Sequence, residues 1–490
     1  MLFRQKLDTF IRVYDRLGYI TSRSDFGDRV TDASGAVFLS VLSRKPQTLD
    51  ELVTQIAKSF IEVDTNILKA DAASFYAMLE EDGFIVSGET EEELNRKDTR
   101  FTYKTLLPKT IRRDWTPPVL RANKNTQEYL DEYYMHNPHL TSFQIELTSR
   151  CNERCLHCYI PHENKLTDID DALFYDVLAQ CREMNVLDLT LSGGEPLLHP
   201  HFCDYMRKAK EYDLSINVLS NLTMLNDEII AEMKSGLLSS VQVSLYSMDS
   251  AVHDTITQMP GSFYKTRDAI LRLMENDIPV QISCPVMKQN KDNYSEVIKW
   301  AFEHKMRISS DFVMMARYDH STDNLDNRLG LEDVGTIIKA IIDNDPVYQD
   351  SIRNQRPEDY HYDISEEKVC GVCLNLLCMV ANGNVYPCSG WQNFVCGNLF
   401  EKSLREIWDN APRVLYLRGL RQKDFPQCLA CEDNNFCHRC LVRNANENSD
   451  ISAVGTLGDP LKINSHFCKV AALNRKIVLD WRARNIQTHA

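Results

Sequence analysis

Three cysteines, Cys151, Cys155 and Cys158 in the run SRCNERCLHCY, follow directly on the alternating segment Phe143-Gln144-Ile145-Glu146-Leu147. The C-x3-C-x2-C spacing constrains this part of the chain more than any other feature. Three thiolates on one short loop can hold three irons of a cubane iron–sulfur cluster and leave the fourth iron open to a small molecule, whereas a fourth cysteine would close it. The preceding alternation reads as a strand, so the loop falls at a strand's C-terminal end.

From about residue 139 apolar strand-like runs alternate with helical stretches, the pattern of βαβ units and a parallel sheet. Strands are expected at about 142–148, 186–192, 214–220, 240–246, 279–286 and 307–315, with helices between them such as Ala172 to Met184 and Asn226 to Ser235. Six units suit an α/β fold with an incomplete (β/α)6 barrel over 139–343. Before it, residues 1–90 read as a small α/β module with helices near Ala36–Leu42, Leu49–Phe60 and Asp71–Asp82 and a short strand at Phe84–Val86. Thr48-Leu49-Asp50-Glu51 has the T-x-x-E form of a capping box, which makes Thr48 an N-cap. Charge runs and prolines mark 91–138 as a linker with a short helix. After Asp343 the period breaks up into a cysteine-rich region, 344–490, ending in a helical tail from KVAALNRKIVLDW.

The 490 residues suit about three domains at roughly 150 residues each. Fifty-five basic against 70 acidic residues give a net charge of −15, which argues against a nucleic-acid partner. No run of 18 apolar residues and no secretory signal pattern is present, so no membrane contact and a cytoplasmic location are expected. There, sixteen cysteines read as metal ligands and not as a disulfide framework. Cys181, Cys203 and Cys284 stand alone and suit small buried side chains.

Leu191-Ser192-Gly193-Gly194-Glu195-Pro196 closes the second strand. Two glycines admit a ligand close to the main chain, and Glu195 or nearby carbonyls can accept from an ammonium group. Gly-Gly-Glu alone is more often a turn, but here it shares a sheet end with the cysteine loop, the end where parallel barrels carry their chemistry. With CNERCLHC and SGGEP together, the chain resembles the radical S-adenosylmethionine superfamily. The resemblance implies a [4Fe-4S] cluster on Cys151, Cys155 and Cys158, S-adenosylmethionine chelated to its open iron, and a 5′-deoxyadenosyl radical that takes hydrogen from a substrate. It further implies cofactor contacts from Gly193, Gly194, Glu195, Ser220, Asn221, Ser244 and Tyr246. His157 and Tyr159 are expected to pack beside the cluster. Arg317, taken as the end of the sixth strand, suits a bidentate carboxylate contact or a plain salt bridge.

Cys370, Gly383 and Cys388, followed by Cys428-x2-Cys431-x5-Cys437-x2-Cys440 and Cys468, leave a zinc ribbon open as one reading. The order also resembles the SPASM extension, which implies two auxiliary clusters, hence three [4Fe-4S] clusters in all. One would use Cys370, Cys388 and Cys440, with Cys373 as a possible fourth ligand; the other Cys428, Cys431, Cys437 and Cys468. The chain departs from the family by having two residues, not three, before Cys440. Cys373, Cys378 and Cys396 exceed the pattern. Residues 1–90 resemble the winged-helix leader-recognition element of peptide maturases, with a nucleic-acid-binding winged helix as the competing reading.

Together these resemblances imply a radical SAM maturase of a ribosomally made peptide (a RiPP). It would bind the precursor peptide through its leader, draw electrons from a donor such as flavodoxin or ferredoxin, and close a thioether or carbon–carbon crosslink. Epimerisation, with Cys284 or Cys396 as hydrogen donor, formylglycine formation of the sulfatase type, and a non-catalytic zinc-rich scaffold are the alternatives.

Overall fold

The computed structural model describes residues 1–23, 27–62, 64–104, 126–161, 167–354, 363–437, 439–447 and 457–485. The chain opens with four strands, β1 (Leu2–Gln5), β2 (Thr9–Tyr14), β3 (Leu17–Ser22) and β4 (Asp28–Thr31). Helices Ala33–Ser40, Leu49–Ile56 and Thr65–Glu81 follow, with β5 (Gln47–Thr48) ahead of the second and β6 (Ile85–Gly88) after the third. The strands make two antiparallel sheets, β5-β1-β6 and β2-β3-β4. Thr48 caps as its sequence foretells: its hydroxyl accepts from Glu51 N at 3.2 Å, while Glu51 Oε2 accepts from Thr48 N at 2.7 Å. Helix Glu91–Lys97 packs back on this module through the buried Leu94. Asp98, just beyond, takes Arg4 at 2.9 Å. Part of the expected linker, 105–125, lies outside the described residues, and helix Thr126–His136 leads into the next unit.

Six parallel strands follow in sequence order: β7 (Ser142–Thr148), β8 (Asp188–Gly193), β9 (Ser215–Ser220), β10 (Leu238–Ser244), β11 (Val280–Ser283) and β12 (Arg307–Ser309). The alternation of each strand sorts its side chains. Phe143, Ile145, Leu189, Leu191, Ile216, Val218, Val241, Val243 and Ile282 are buried against the helices. Gln144, Thr190, Asn217, Gln242 and Gln281, of the opposite parity, line the other face and remain partly exposed. The inner face is therefore polar: Gln144 donates to Ser192 at 2.9 Å and Ser240 to Asn217 at 3.0 Å.

The cysteine-rich region continues this sheet instead of forming its own. β13 (Leu376–Met379) pairs parallel with β7, Cys378 opposite Gln144, and β14 (Asn384–Tyr386) and β15 (Gly397–Asn398) add antiparallel. The order is β12-β11-β10-β9-β8-β7-β13-β14-β15. The C-terminal helix, Ser465–Asn485, starts early enough to carry Cys468. Among the described residues no helix is long and apolar enough to cross a membrane.

The N-terminal module docks on the sheet end opposite the cysteine loop. Phe10 packs with Leu187 and Leu237, which immediately precede β8 and β10. The buried Arg12 donates from Nε to Val186 O at 3.1 Å and pairs with Asp213 at 3.1 Å, and Arg44 joins the same carboxylate. Burial lowers the pKa of Arg12, so its charge there relies on close acceptors. Asp213→Asn keeps the positive-φ backbone at this position but leaves two guanidinium groups without their shared counter-ion. We expect a loss of about 3 kcal/mol, read as a lower urea midpoint.

Candidate active site

β7 ends at Thr148, and the loop that follows is tied to the helix after β10. Arg154 N donates to Thr257 O at 3.0 Å and Leu156 N to Ile256 O at 2.9 Å. These bonds bring Cys151, Cys155 and Cys158 together. Burial pushes the Cys155 thiol well above the ordinary thiol range, and the charges of Glu153, Cys158 and Cys151 push it further. Three crowded thiolates repel one another and gain stability only against positive charge, so the donor set fits an iron–sulfur core.

The second element is the close of β8. Gly193 has φ +150°, and a Cβ there would lie 2.3 Å from Thr148 O; one on Gly194 would lie 2.2 Å from Arg150 O. Gly194 N donates to Thr148 O at 2.7 Å and Glu195 N to Arg150 O at 2.8 Å. The glycines thus admit the protein's own cysteine-loop backbone. Glu195 is fully buried: Oε1 accepts from Ser220 Oγ at 2.7 Å and Leu197 N at 3.0 Å, and Oε2 from Asn221 N at 2.7 Å. Glu195 is thus held by donors of the protein itself. Its carboxylate pins β8 to β9, as does the Ser220 hydroxyl. Asn221 Nδ2 donates to Asn152 Oδ1 at 2.9 Å, and Asn152 donates to Thr223 at 2.6 Å, so the end of β9 holds the cysteine loop directly. Asn152 and Thr223 were missed by the sequence reading, although Asn152 sits inside the cysteine motif.

Ser244 ends β10, two residues before the buried Tyr246, on whose phenol it acts. That phenol lies 2.8 Å from His157 Nε2 and 3.9 Å from Cys155 Sγ. Ser244, Tyr246 and His157 are therefore gathered around the loop. β12 stops at Ser309, so Arg317 falls in the following loop, which returns to the cysteine loop: Arg317 lines a cavity with Arg154 and Leu156 and pairs with Asp323 at 2.8 Å, and Tyr318 N donates to Tyr159 O at 3.2 Å. Cys284 continues the parity of Ile282 and packs on the helical side, fully buried, its thiol pushed up to about 12 and donating to Tyr246 O at 3.7 Å. It therefore lies on the helical side of the sheet and not on the inner side.

Two further thiol sets stand in the C-terminal region. Cys388 feels Cys440 and Cys370, and the amides of Gly371 and Val372 point at Cys370. Cys437 feels Cys468, Cys428 and Cys431. Among the described residues no three Cys, His, Asp or Glu side chains converge on a single-ion position. Cys373 hydrogen-bonds Cys396, the largest cause of its raised pKa, while Cys378 lies between Cys388 and Glu146. Tyr159 joins the regions. Burial and then Glu146, Cys158, Cys388 and Cys378 raise its pKa, so thiols of both the first set and the second act on its phenol. Glu146 Oε1 accepts from Tyr386 at 3.0 Å and Gln392 at 2.6 Å beside it.

The family model of the radical SAM superfamily matches residues 145–301, and that of the SPASM iron-sulfur cluster-binding domain matches 370–440. Among curated proteins, the AdoMet-dependent heme synthase of Methanosarcina barkeri is 28% identical over 327 residues, 61% of this chain and 90% of that protein. The PqqA peptide cyclase of Gluconobacter oxydans is 24% identical over 309 residues, 59% of this chain and 82% of that protein. The crystal structure of Streptococcus suis SuiB bound to the precursor peptide SuiA shares the fold, with a TM-score of 0.56 at 15% identity over 90% of this chain and 96% of that one.

The Glu195 carboxyl, pushed up to about 7 by burial against an ordinary 4.5, gives a test of its inward placement. The folded state holds this proton more tightly than the unfolded one, so the contribution of this group to stability is fully present below about pH 4.5, falls as pH rises, and is lost above about 7. The full change is about 3 kcal/mol at most. Thermal midpoints taken without oxygen at successive pH values are expected to fall over this window in the wild type and to lose that slope in Glu195→Gln.

Proposed function

Since this chain belongs to the radical SAM superfamily and carries a SPASM iron-sulfur domain, we propose that it is a maturase that crosslinks a ribosomally made peptide. The observation that carries this reading is the parallel pairing of β13, from the cysteine-rich region, with β7, whose end leads into the cysteine loop. With iron–sulfur clusters and S-adenosylmethionine bound, the cofactors supply a 5′-deoxyadenosyl radical and acceptors for single electrons. A crosslink removes two hydrogens from the peptide, one as an atom and one as a proton with an electron passed to an acceptor. The Cys370, Cys388 and Cys440 set, in the region that continues the same sheet beside β7, suits that acceptor's seat. The set of Cys428, Cys431, Cys437 and Cys468 suits a third cluster exchanging electrons with a flavodoxin or ferredoxin.

The protein's own residues do the positioning. Asn152, Asn221 and Tyr246 fix the cysteine loop, while Gln144, Gln242 and Gln281 on the inner face offer paired donors and acceptors to a peptide backbone. PqqA peptide cyclase and the SuiA-bound SuiB are named for peptide substrates, which favours the same class here. For the leader, β4 is the outer strand of its sheet, whereas β2 is turned to the barrel through Arg12. An added peptide strand on β4 would gain main-chain hydrogen bonds.

The test is co-expression without oxygen with a candidate precursor peptide, followed by mass spectrometry. A crosslink lowers the peptide mass by two hydrogens per link. An unchanged mass contradicts the reading, and solvent deuterium gained at one carbon without net oxidation replaces it with epimerisation.

A further inference from the structure

Tyr246, just beyond the end of β10, is held at both of its backbone groups. Its N–H donates to Nδ1 of the buried His253 at 3.3 Å, and its carbonyl accepts from Nδ2 of the fully buried Asn290 at 2.8 Å and from the Cys284 thiol at 3.7 Å. The ring packs with Ile256, Met287 and Met314, and Ile256 is the residue whose carbonyl takes Leu156 N of the cysteine loop. The phenol is therefore fixed relative to that loop. Its oxygen donates to Cys155 Sγ across 3.9 Å, a length open to bonds with sulfur, and lies 2.8 Å from His157 Nε2.

A phenol has one hydrogen to give, and two acceptors stand within its reach. With the imidazole proton on Nδ1, His157 would take that hydrogen and the sulfur would receive none. With the proton on Nε2, His157 donates to the phenol oxygen and the phenol hydrogen is left for Cys155. A thiolate at Cys155 favours the second arrangement, because a hydrogen bond to a charged acceptor is about twice as strong as one between neutral groups. Among the described residues the other side chain bonded to this sulfur is the Glu153 carboxylate at 3.3 Å, to which a thiolate has nothing to donate. Its negative charge beside the sulfur makes the phenol hydrogen worth more.

We infer that Tyr246, held by His253 and Asn290 and backed by His157, raises the reduction potential of the iron–sulfur group on Cys151, Cys155 and Cys158 by donating to the Cys155 sulfur. An electron added to such a group falls partly on its thiolate sulfurs, so a donor at sulfur favours the reduced state. The protein interior around the phenol strengthens the effect, since a hydrogen bond there is not diluted by water. Tyr246 is thus a positioning residue that acts through Cys155. The inference rests on the cysteine loop holding a cluster and is independent of the peptide reading.

The test is a redox titration of the cluster-loaded full chain followed by electron paramagnetic resonance, without S-adenosylmethionine or peptide. The signal of the loop is the one missing when Cys151, Cys155 and Cys158 are all changed to Ala. In Tyr246→Phe, which keeps the ring and removes the hydroxyl, the reduced-to-oxidised ratio of that signal at a fixed potential is expected to fall about fivefold, or about 40 mV for one electron. The other signals should stay where they are. Placing 3-fluorotyrosine at position 246 makes the phenol a stronger donor and should move the same signal the opposite way, which altered packing would not do. A potential unmoved in both proteins, moved the same way in both, or moved equally for every signal overturns the inference. If Tyr246→Phe loses its iron, the fluorinated protein decides alone, and an unmoved potential there overturns it. A wild type without iron on the loop overturns the inference together with its premise, whereas a peptide of unaltered mass sinks only the crosslinking reading.

Discussion

The whole rim of the sheet depends on one close approach, that of the Gly193–Gly194 backbone to Thr148 and Arg150. No side chain larger than hydrogen fits there, because either Cβ would fall inside 2.4 Å of a carbonyl oxygen. The two amide bonds made across this contact fasten the cysteine loop to the end of β8. Glu195 then fastens the end of β8 to β9 through two donors, Ser220 Oγ and Asn221 N, and Asn221 returns to the loop through Asn152. Each bond adds about 1 kcal/mol net, but losing one inside the barrel end leaves a buried group unpaired and costs more. The loop is thereby positioned before any cofactor binds, which is what a site handling a reactive radical requires.

The same sheet also sets the spacing between the two cysteine-bearing regions. β13 lies beside β7, one strand spacing of about 4.8 Å away, so Cys378, Glu146 and Tyr159 are drawn into one buried wall. The auxiliary region is an extension of the barrel, not an appended domain with its own sheet. At the other end, the Arg12 and Asp213 contact keeps the N-terminal module about 20 Å from the cysteine loop, the length of a six-residue strand.

Much of this was legible in the sequence because it rests on period and spacing. The six strands, the cysteine loop, the Thr48 cap and the C-terminal helix each carry a repeating or fixed-offset signal. What escaped was set by partners distant in sequence. Nothing in Gly-Gly-Glu tells whether its carboxylate turns outward or inward; Ser220 and Asn221 decide that. Cys284 looked suitable as a strand-end thiol, but parity with Ile282 puts it among the helices. The sixth strand was read six residues too long, since the apolar Phe312–Met315 run packs as an irregular segment, and Arg317 follows it in a loop that returns to the cysteine loop. β1–β4 are short and buried on both faces in places, so no alternation marked them.

The central claim is that three cysteine sets each hold an iron–sulfur cluster, and metal content tests it most directly. Iron, sulfide and zinc are to be measured in protein purified without oxygen, beside a variant with Cys151, Cys155 and Cys158 all changed to Ala. The account predicts about twelve irons per chain, falling by about four in the variant, with matching sulfide and no zinc. About four irons with zinc in the C-terminal region would contradict the electron-accepting extension, and a chain without iron would contradict the account as a whole.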